Sequence, residues 1–189
     1  METMTELIEY YKGIFTILSS CASRQLEEVT FRRTVIPVQE LLDAAGKYFK
    51  KLMKNRPERI ELEIEPMEAK VIGDVNQLRF LLENLIDEVL TVREDGVIRL
   101  QARKDNEYIR FLFTDTRREK SVEELNQLFY PNLARMTSGE KGELRGTEYL
   151  VCKQIIRDHD EFAGRRGCRI NAEPAEGGGF TVYFTIPRR

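Results

Sequence analysis

The chain has 189 residues and a mass of 22.1 kDa, with 41% hydrophobic and 33% charged residues, which fits one compact domain, or one domain plus a docking helix. Thirty Lys and Arg residues against 32 Asp and Glu give a net charge of −2, so no basic field favours nucleic acid or anionic lipid. No apolar run approaches a membrane span. Three widely spaced cysteines and one histidine, His159, exclude a disulfide framework and His-rich zinc chemistry. We expect a cytoplasmic protein.

The first segment, residues 5–30, is predicted to be an amphipathic helix. Apolar residues recur at alternating spacings of three and four, which is typical of helix-on-helix packing. Such a stripe must be covered, either by the chain's own domain or by a second copy. The second alternative is a homodimer through the helix face that carries Leu7, Ile14, Ile17 and Leu18.

The next segment is predicted to contain a strand, a helix and a strand pair. Residues 34–36 are extended, and Pro37 then suits the start of a helix over residues 38–54. Residues 60–64 alternate isoleucine or leucine with glutamate, as a half-buried strand does, and residues 71–73 form the second short strand.

The central helix has the strongest pattern in the chain. Asp74 is a good N-cap, and the leucines that follow form one broad apolar face. Residues 97–103 and 108–113 then alternate around Asp105-Asn106 as a β-hairpin.

The last third is predicted to add two helices and a second hairpin. Residues 121–130 suggest a short helix, residues 131–145 a mobile polar loop, and residues 147–160 a longer helix. Strands at residues 168–172 and 180–186 are joined by a glycine-rich turn. The predicted fold class is α/β (α+β): a two-layer sandwich with a mixed, mostly antiparallel sheet covered by helices on one face and preceded by the N-terminal helix.

Four stretches with recognisable chemistry follow one another along this chain. The helix after Asp74 carries Asn84 and Glu88 four residues apart in DVNQLRFLLENLIDE, so both face one way. The strand that ends at Asp115 continues as DTRRE, and a helix follows Gly146 in GTEYLVCKQII. The fourth stretch, EGGGFTVYFTIP, is a glycine turn followed by a strand.

In this order, the four stretches resemble the boxes of the C-terminal ATP-binding domain of sensor histidine kinases, from the wider family of gyrase-type and chaperone ATPases. The resemblance covers residues 35–187. It implies a Bergerat-type domain over residues 34–189, after a partial dimerisation hairpin over residues 1–33. The family's phosphoacceptor histidine lies upstream of such a region. Either the chain is a fragment of a longer sensor, which we favour, or the protein never had the phosphoacceptor helix. We expect a cytoplasmic protein, or the cytosolic part of a membrane-anchored one, with no membrane contact by this segment.

The resemblance also implies roles for single residues. Asp115 would accept the amino group of adenine, and Asn84 would face the nucleotide. Gly146 would open the helix N-terminus that cradles phosphates, with Lys141 and Arg145 as further phosphate contacts.

The residues that touch ATP in the family are mostly replaced here. Arg117 and Glu119 stand in place of the two glycines after Asp115, and Glu148 in place of the second glycine of the phosphate box. Glu88 stands where the family has its Mg²⁺-binding asparagine. Like charges roughly 4 Å apart cost about 4 kcal/mol at an effective dielectric near 20, so these carboxylates would weaken triphosphate binding. Glu148 could itself replace phosphate at the helix N-terminus.

Other residues could still favour binding of ATP and Mg²⁺. Glu88 is an oxygen ligand and could hold Mg²⁺. The basic side chains of Arg117, Arg118, Lys141 and Arg145 could offset the acids.

Each polar residue also has a simpler interpretation. Asn84 and Glu88 fit the solvated face of an amphipathic helix, and Asp115 fits a turn former at a strand end. Gly146 fits a helix entry. His159 fits a helix-end residue that stabilises the helix dipole when it is charged.

The leading hypothesis is a non-catalytic signalling scaffold that binds ATP weakly or not at all, needs no cofactor and contacts a signalling protein. The alternative is a divergent kinase domain that binds ATP and Mg²⁺ and phosphorylates a histidine located upstream or on another protein. A purely structural domain is the third hypothesis. None of the three involves nucleic acid.

Overall fold

A computed structural model describes residues 4–8, 11–12, 31–131, 137–138, 144–145 and 147–189. Residues 4–8 and 11–12 are helical, as predicted. Ile14, Ile17 and Leu18 lie outside the described residues, and so does most of the predicted loop over residues 131–145.

The described elements alternate between strands and helices. In chain order they are β1 (Thr34–Pro37), α1 (Val38–Met53), β2 (Ile60–Ile64), β3 (Lys70–Gly73), α2 (Val75–Val89), β4 (Gly96–Asp105), β5 (Tyr108–Asp115), α3 (Val122–Asn126), β6 (Thr137–Ser138), β7 (Leu144–Arg145), α4 (Glu148–Phe162), β8 (Ile170–Pro174) and β9 (Phe180–Pro187). Most predicted elements are therefore confirmed, with ends that differ by a few residues.

The main sheet has five strands in the order β2-β4-β5-β9-β8. Strand β2 runs parallel to β4, and the other neighbours are antiparallel, so the sheet is mixed and mostly antiparallel as predicted. Strands β1 and β3 form a separate antiparallel pair. The predicted pairing of residues 60–64 with residues 71–73 is wrong, because β2 finds its partner in β4 beyond the central helix.

The core lies between one face of this sheet and helices α1, α2 and α4. Alternate strand residues turn inward, and the rings of Phe111 and Phe184 stack with their centroids 4.8 Å apart. The outward face carries polar side chains such as Arg99 and Gln101. Helix α2 buries its leucine face, which includes Leu78, Leu81, Leu82 and Leu85. Burial of apolar area on this scale is the main stabilising term.

The central helix begins where the sequence predicts. Asp74 Oδ1 accepts hydrogen bonds from the backbone N–H groups of Asn76 and Gln77. These are two of the donors that a helix N-terminus leaves without a partner. Oδ2 of the same residue accepts from the backbone N–H of Arg32, which fixes the chain entering β1.

His159 lies in the last turn of α4, as the sequence predicts, but it is buried and its hydrogen bonds are those of a neutral imidazole, so it does not act as a charge at the helix end. Its exposed fraction is 0%. Nε2 accepts a hydrogen bond from the backbone N–H of Asp74, and Nδ1 donates to the carbonyl of Ile155. Burial lowers the pKa of this imidazole. The side chain therefore works as a neutral link between α4 and the start of α2.

Candidate functional site

Asp115 is buried at the end of β5, and both of its carboxylate oxygens accept hydrogen bonds from Arg117. Oδ1 accepts from the Arg117 backbone N–H at 3.0 Å and from Nε at 2.9 Å. Oδ2 accepts from Nη2 at 3.0 Å. The backbone bond between residues two apart is a common local turn of aspartate. The carboxylate that the sequence predicts as a base acceptor is thus bonded within its own segment.

Arg117 has a partner for every side-chain N–H. Beyond the two bonds to Asp115, Nη1 donates to the carbonyls of Val92 and Glu94, each at 3.0 Å, and Nη2 donates to the carbonyl of Val89. Guanidinium has five N–H donors, and all five are used. The side chains of Arg117 and Asp115 are only 1% and 3% exposed. An ion pair this deep is retained because the hydrogen bonds offset the desolvation of both charges.

The Arg117 side chain lies between three segments. Val89 is the last residue of α2, Val92 and Glu94 belong to the loop that follows, and Asp115 ends β5. A helix C-terminus leaves carbonyls without partners and carries a partial negative charge, which favours a cation there. Arg117 therefore closes the space between the central helix and the sheet end.

Gly96 makes room for this arrangement. A Cβ atom on Gly96 would lie 2.5 Å from Cγ of Arg117, and the φ of this residue is +148°. Any side chain at this position would collide with the arginine stem and would also adopt an unfavourable backbone conformation.

Asn84 is buried rather than part of a solvated helix face. It is 8% exposed, and its Nδ2 donates to the carbonyl of Phe80, one turn earlier, at 2.7 Å. One N–H of the Asn84 amide is therefore used within α2.

Carboxylates come together where the end of α2 meets the start of α4. Burial, and then the negative charges of Glu148 and Glu88, raise the pKa of the Cys152 thiol. Burial and the charge of Glu148 also raise the pKa of Asp87, although a hydrogen bond from Tyr48 at 2.6 Å opposes this. The carboxylates of Glu148, Glu88 and Asp87 thus lie within electrostatic range of this junction, while the expectation that Glu88 and Glu148 surround a triphosphate stays a prediction.

Glu148 is the first residue of α4, but its buried Oε2 has no hydrogen-bond partner within the part of the chain that the structure describes. This oxygen therefore does not replace a phosphate on the helix amides. Over the same described residues, no group of three His, Cys, Asp or Glu side chains is arranged to hold a metal ion. The role of Glu88 as a Mg²⁺ ligand stays a prediction.

The structure describes only some of the residues that the sequence predicts as phosphate contacts. Gly146 and Lys141 lie outside the described residues, and Arg145 is described only as backbone in β7. Arg118 pairs with Glu94 at 2.7 Å, and Arg117 pairs with Asp115, so both arginines already have carboxylate partners of their own.

The sequence presents Arg117 as a lost glycine and as a basic side chain that could offset the acids, but it does not predict the bond between Arg117 and Asp115. The signal available in the sequence was an arginine two residues after a strand-end aspartate, a spacing short enough for the two opposite charges to pair locally.

A family model described as histidine kinase-, DNA gyrase B-, and HSP90-like ATPase matches residues 73–189. No curated protein matches the sequence. Within the described residues, no helix is long and apolar enough to cross a membrane.

Several solved histidine kinases have the same fold. The mycobacterial sensor histidine kinase MprB is 17% identical, with a TM-score of 0.64 over 84% of this chain and 99% of that chain. Histidine kinase ThkA, solved in complex with the response regulator TrrA, is 19% identical, with a TM-score of 0.64 over 100% of this chain and 52% of that chain. Full-length ShkA in complex with AMPPNP is 15% identical, with a TM-score of 0.62 over 85% of this chain and 32% of that chain. The predicted Bergerat-type fold is confirmed.

Proposed function

The chain belongs to the histidine kinase-, DNA gyrase B- and HSP90-like ATPase family, and we propose that it serves as a signalling and interaction scaffold without kinase activity. In this proposal the domain binds ATP weakly or not at all and needs no cofactor. Fold alone does not decide this, because one fold supports many functions and the site must carry the argument.

The observation that carries the proposal is the bonding of Asp115. Its carboxylate would accept the adenine amino group in an ATP-binding member, yet here it accepts three N–H groups of Arg117. A base would have to separate this buried ion pair. Breaking such a pair costs about 3–5 kcal/mol. That cost corresponds to a loss of roughly 10²–10⁴ in affinity.

The acidic junction between α2 and α4 supports the same conclusion. Glu148 and Glu88 lie close enough to Cys152 for both charges to raise its thiol pKa. By the resemblance of the sequence motifs, this junction would be the phosphate and metal end of the site. A polyphosphate would meet negative charge there instead of amide donors and glycine backbone.

The alternative is a divergent kinase domain that binds ATP and Mg²⁺ and whose acceptor histidine lies upstream or on another protein. It is favoured by the positions of Asp115 and Asn84, which are both buried on the elements that the family uses. In that case Asp115 would bind adenine, Asn84 or Glu88 the metal, and Lys141 or Arg145 the phosphates. One protein of similar structure, ShkA, was solved in complex with AMPPNP.

Thermal denaturation of the wild-type protein with ATP or ADP, each with and without Mg²⁺, separates the two functions. A ligand at 100 times its dissociation constant adds about 2.7 kcal/mol to the free energy of unfolding. We expect no shift in Tm at millimolar nucleotide. A clear Mg²⁺-dependent shift, confirmed by calorimetric titration, would contradict the scaffold function and support the kinase.

The interaction part of the proposal concerns the N-terminal helix. Met4, Leu7, Ile8 and Tyr11 expose 74%, 52%, 50% and 62% of their surface along one stripe. We propose that residues 1–33 form part of a dimerisation hairpin that pairs with a second copy, and that residues 34–189 form the domain that contacts a signalling protein. ThkA, which has the same fold, was solved with a partner of this kind, the response regulator TrrA.

Light scattering tests the dimer. We expect a dimer for the wild type, a monomer for Leu7→Glu, and a dimer for the matched control Thr5→Glu, because Thr5 lies off the stripe. A wild-type protein that stays monomeric at high concentration would rule out pairing through this helix.

A further inference from the structure

Arg117 lies in a site made almost entirely of hydrogen-bond acceptors. The acceptors are the Asp115 carboxylate and the carbonyls of Val89, Val92 and Glu94. Such a lining selects a flat group that has N–H donors on several edges and a positive charge. A guanidinium meets this requirement, because its five donors lie in one plane and match a carboxylate in bidentate geometry. A neutral base with one amino group could satisfy only part of the lining.

We propose that Arg117 is an intramolecular ligand of this site. Its side chain occupies the place of a bound base and joins the end of α2 to the end of β5. This inference rests on the proposed function, because it gives a structural reason why the domain would bind ATP weakly or not at all. A free base bound at this place could leave. Here it is part of the chain.

The local backbone directs the side chain into the site. Thr116 is fixed to the neighbouring strand, since its backbone N–H and its Oγ1 both donate to the carbonyl of Val97, at 3.2 Å and 2.6 Å. With Thr116 turned toward β4, Asp115 and Arg117 point together to the other side. The Arg117 backbone N–H donates to the same carboxylate as its side chain. Little side-chain freedom is then left to lose on binding, which favours an internal ligand over a free one.

Substitution of Arg117 by glycine, the residue of the family motif, tests this inference. Arg117→Gly leaves a cavity lined by a carboxylate and three carbonyls. We expect its Tm to fall by on the order of 10 °C. We expect N-ethylguanidinium or adenosine, each at millimolar concentration, to raise the Tm of this variant and not that of the wild type. The matched control is Arg118→Gly, because Arg118 is 54% exposed and pairs at the surface with Glu94. That variant should lose little stability and respond to neither probe.

Stabilisation of Arg117→Gly by either probe supports the internal ligand. An Arg117→Gly protein as stable as the wild type, or one that neither probe stabilises, overturns it. Should the variant not fold alone, refolding from urea with each probe decides the matter: recovery of folded protein only with a probe supports the inference, and no recovery while Arg118→Gly refolds overturns it. Failure of the proposed function would be seen separately, as an ATP-dependent shift in the wild type.

Discussion

Replacement of Asp115 by asparagine removes the charge of the site while it keeps the size of the side chain. The partner, Arg117, is 1% exposed and would remain charged, because a guanidinium does not lose its proton in proteins. Removing one partner of a buried ion pair leaves an uncompensated charge, which costs about 3–5 kcal/mol. The asparagine amide also presents N–H2 in place of one acceptor, so at least one guanidinium N–H loses its bond. Since a domain is stable by only about 5–15 kcal/mol, the effect is large.

Urea unfolding followed by circular dichroism measures the change, and the chain supplies a matched control. Glu63 accepts from Arg99 at 2.9 Å, the same separation as in the buried pair, but the two side chains are 55% and 48% exposed. Exposed ion pairs contribute about 0.2–1 kcal/mol. We therefore expect Asp115→Asn to lower the free energy of unfolding by at least about 2 kcal/mol more than Glu63→Gln does.

The two functions predict different results for this variant. If Asp115 is free to bind a base, as in the kinase alternative, Asp115→Asn should abolish nucleotide binding and change stability little. An unfolding free energy for Asp115→Asn equal to that of Glu63→Gln would therefore refute the reasoning about the buried pair, and with it the main support for a scaffold.

Three further predictions concern pH, backbone geometry and thiol chemistry. Burial holds the pKa of His159 below its ordinary value of 6.5, so below that pH the unfolded state binds more protons than the folded state. The contribution of the neutral His159 to the free energy of unfolding should thus be fully present above about pH 6.5 and should be lost as the pH falls below it. His159→Gln should weaken this pH dependence, as measured by urea unfolding. Gly177 and Gly179 have φ of +88° and +84°, but a Cβ on Gly179 would lie 2.1 Å from a backbone carbonyl oxygen, whereas one on Gly177 meets nothing within 4 Å. Gly177→Ala should cost about 1–2 kcal/mol, and Gly179→Ala clearly more; equal losses of Tm would contradict this. Burial raises the pKa of the Cys152 thiol, and raises that of Cys168 to about 12. Iodoacetamide should label their peptides slowly in the native protein and fast in urea, as measured by mass spectrometry.

The elements that depend on local sequence could be predicted. The Asp74 N-cap and the leucine face of α2 follow from residues a few positions apart, and the glutamates that alternate through residues 60–64 show a strand. Pairing between distant segments could not be predicted in the same way. Strand β2 pairs with β4 across more than thirty residues, and the choice of partner depends on how α2 packs, which no local pattern records.

The sequence predicted which elements carry Asp115 and Asn84 but not the hydrogen bonds that these residues make, and their roles toward a nucleotide stay predictions. Asp115 and Asn84 lie on the expected elements, because the resemblance fixes their order along the fold. The acids at the α2–α4 junction were also expected. Motif matching records which residues are lost, whereas the structure shows what the replacing side chain does. A glycine replaced by arginine counts as a missing turn residue in a motif, but in the fold it adds a stem and five donors.

If the domain binds no ATP, as we propose, the bonding at the base end argues for selection of a closed site there rather than for random decay. Random decay would remove donors and acceptors and leave buried polar groups without partners, each costing about 1–3 kcal/mol. Glu148 Oε2 at the α2–α4 junction is such a group among the described residues, so selection of a closed site is inferred for the base end alone. At the base end the opposite is found. Arg117, which stands where the family motif has glycine, hydrogen-bonds to the Asp115 carboxylate and to three carbonyls. Gly96 leaves the space that the arginine side chain needs. A set of substitutions that leaves the base end fully bonded without nucleotide is what a scaffold requires, since its partners need a constant surface at every nucleotide concentration.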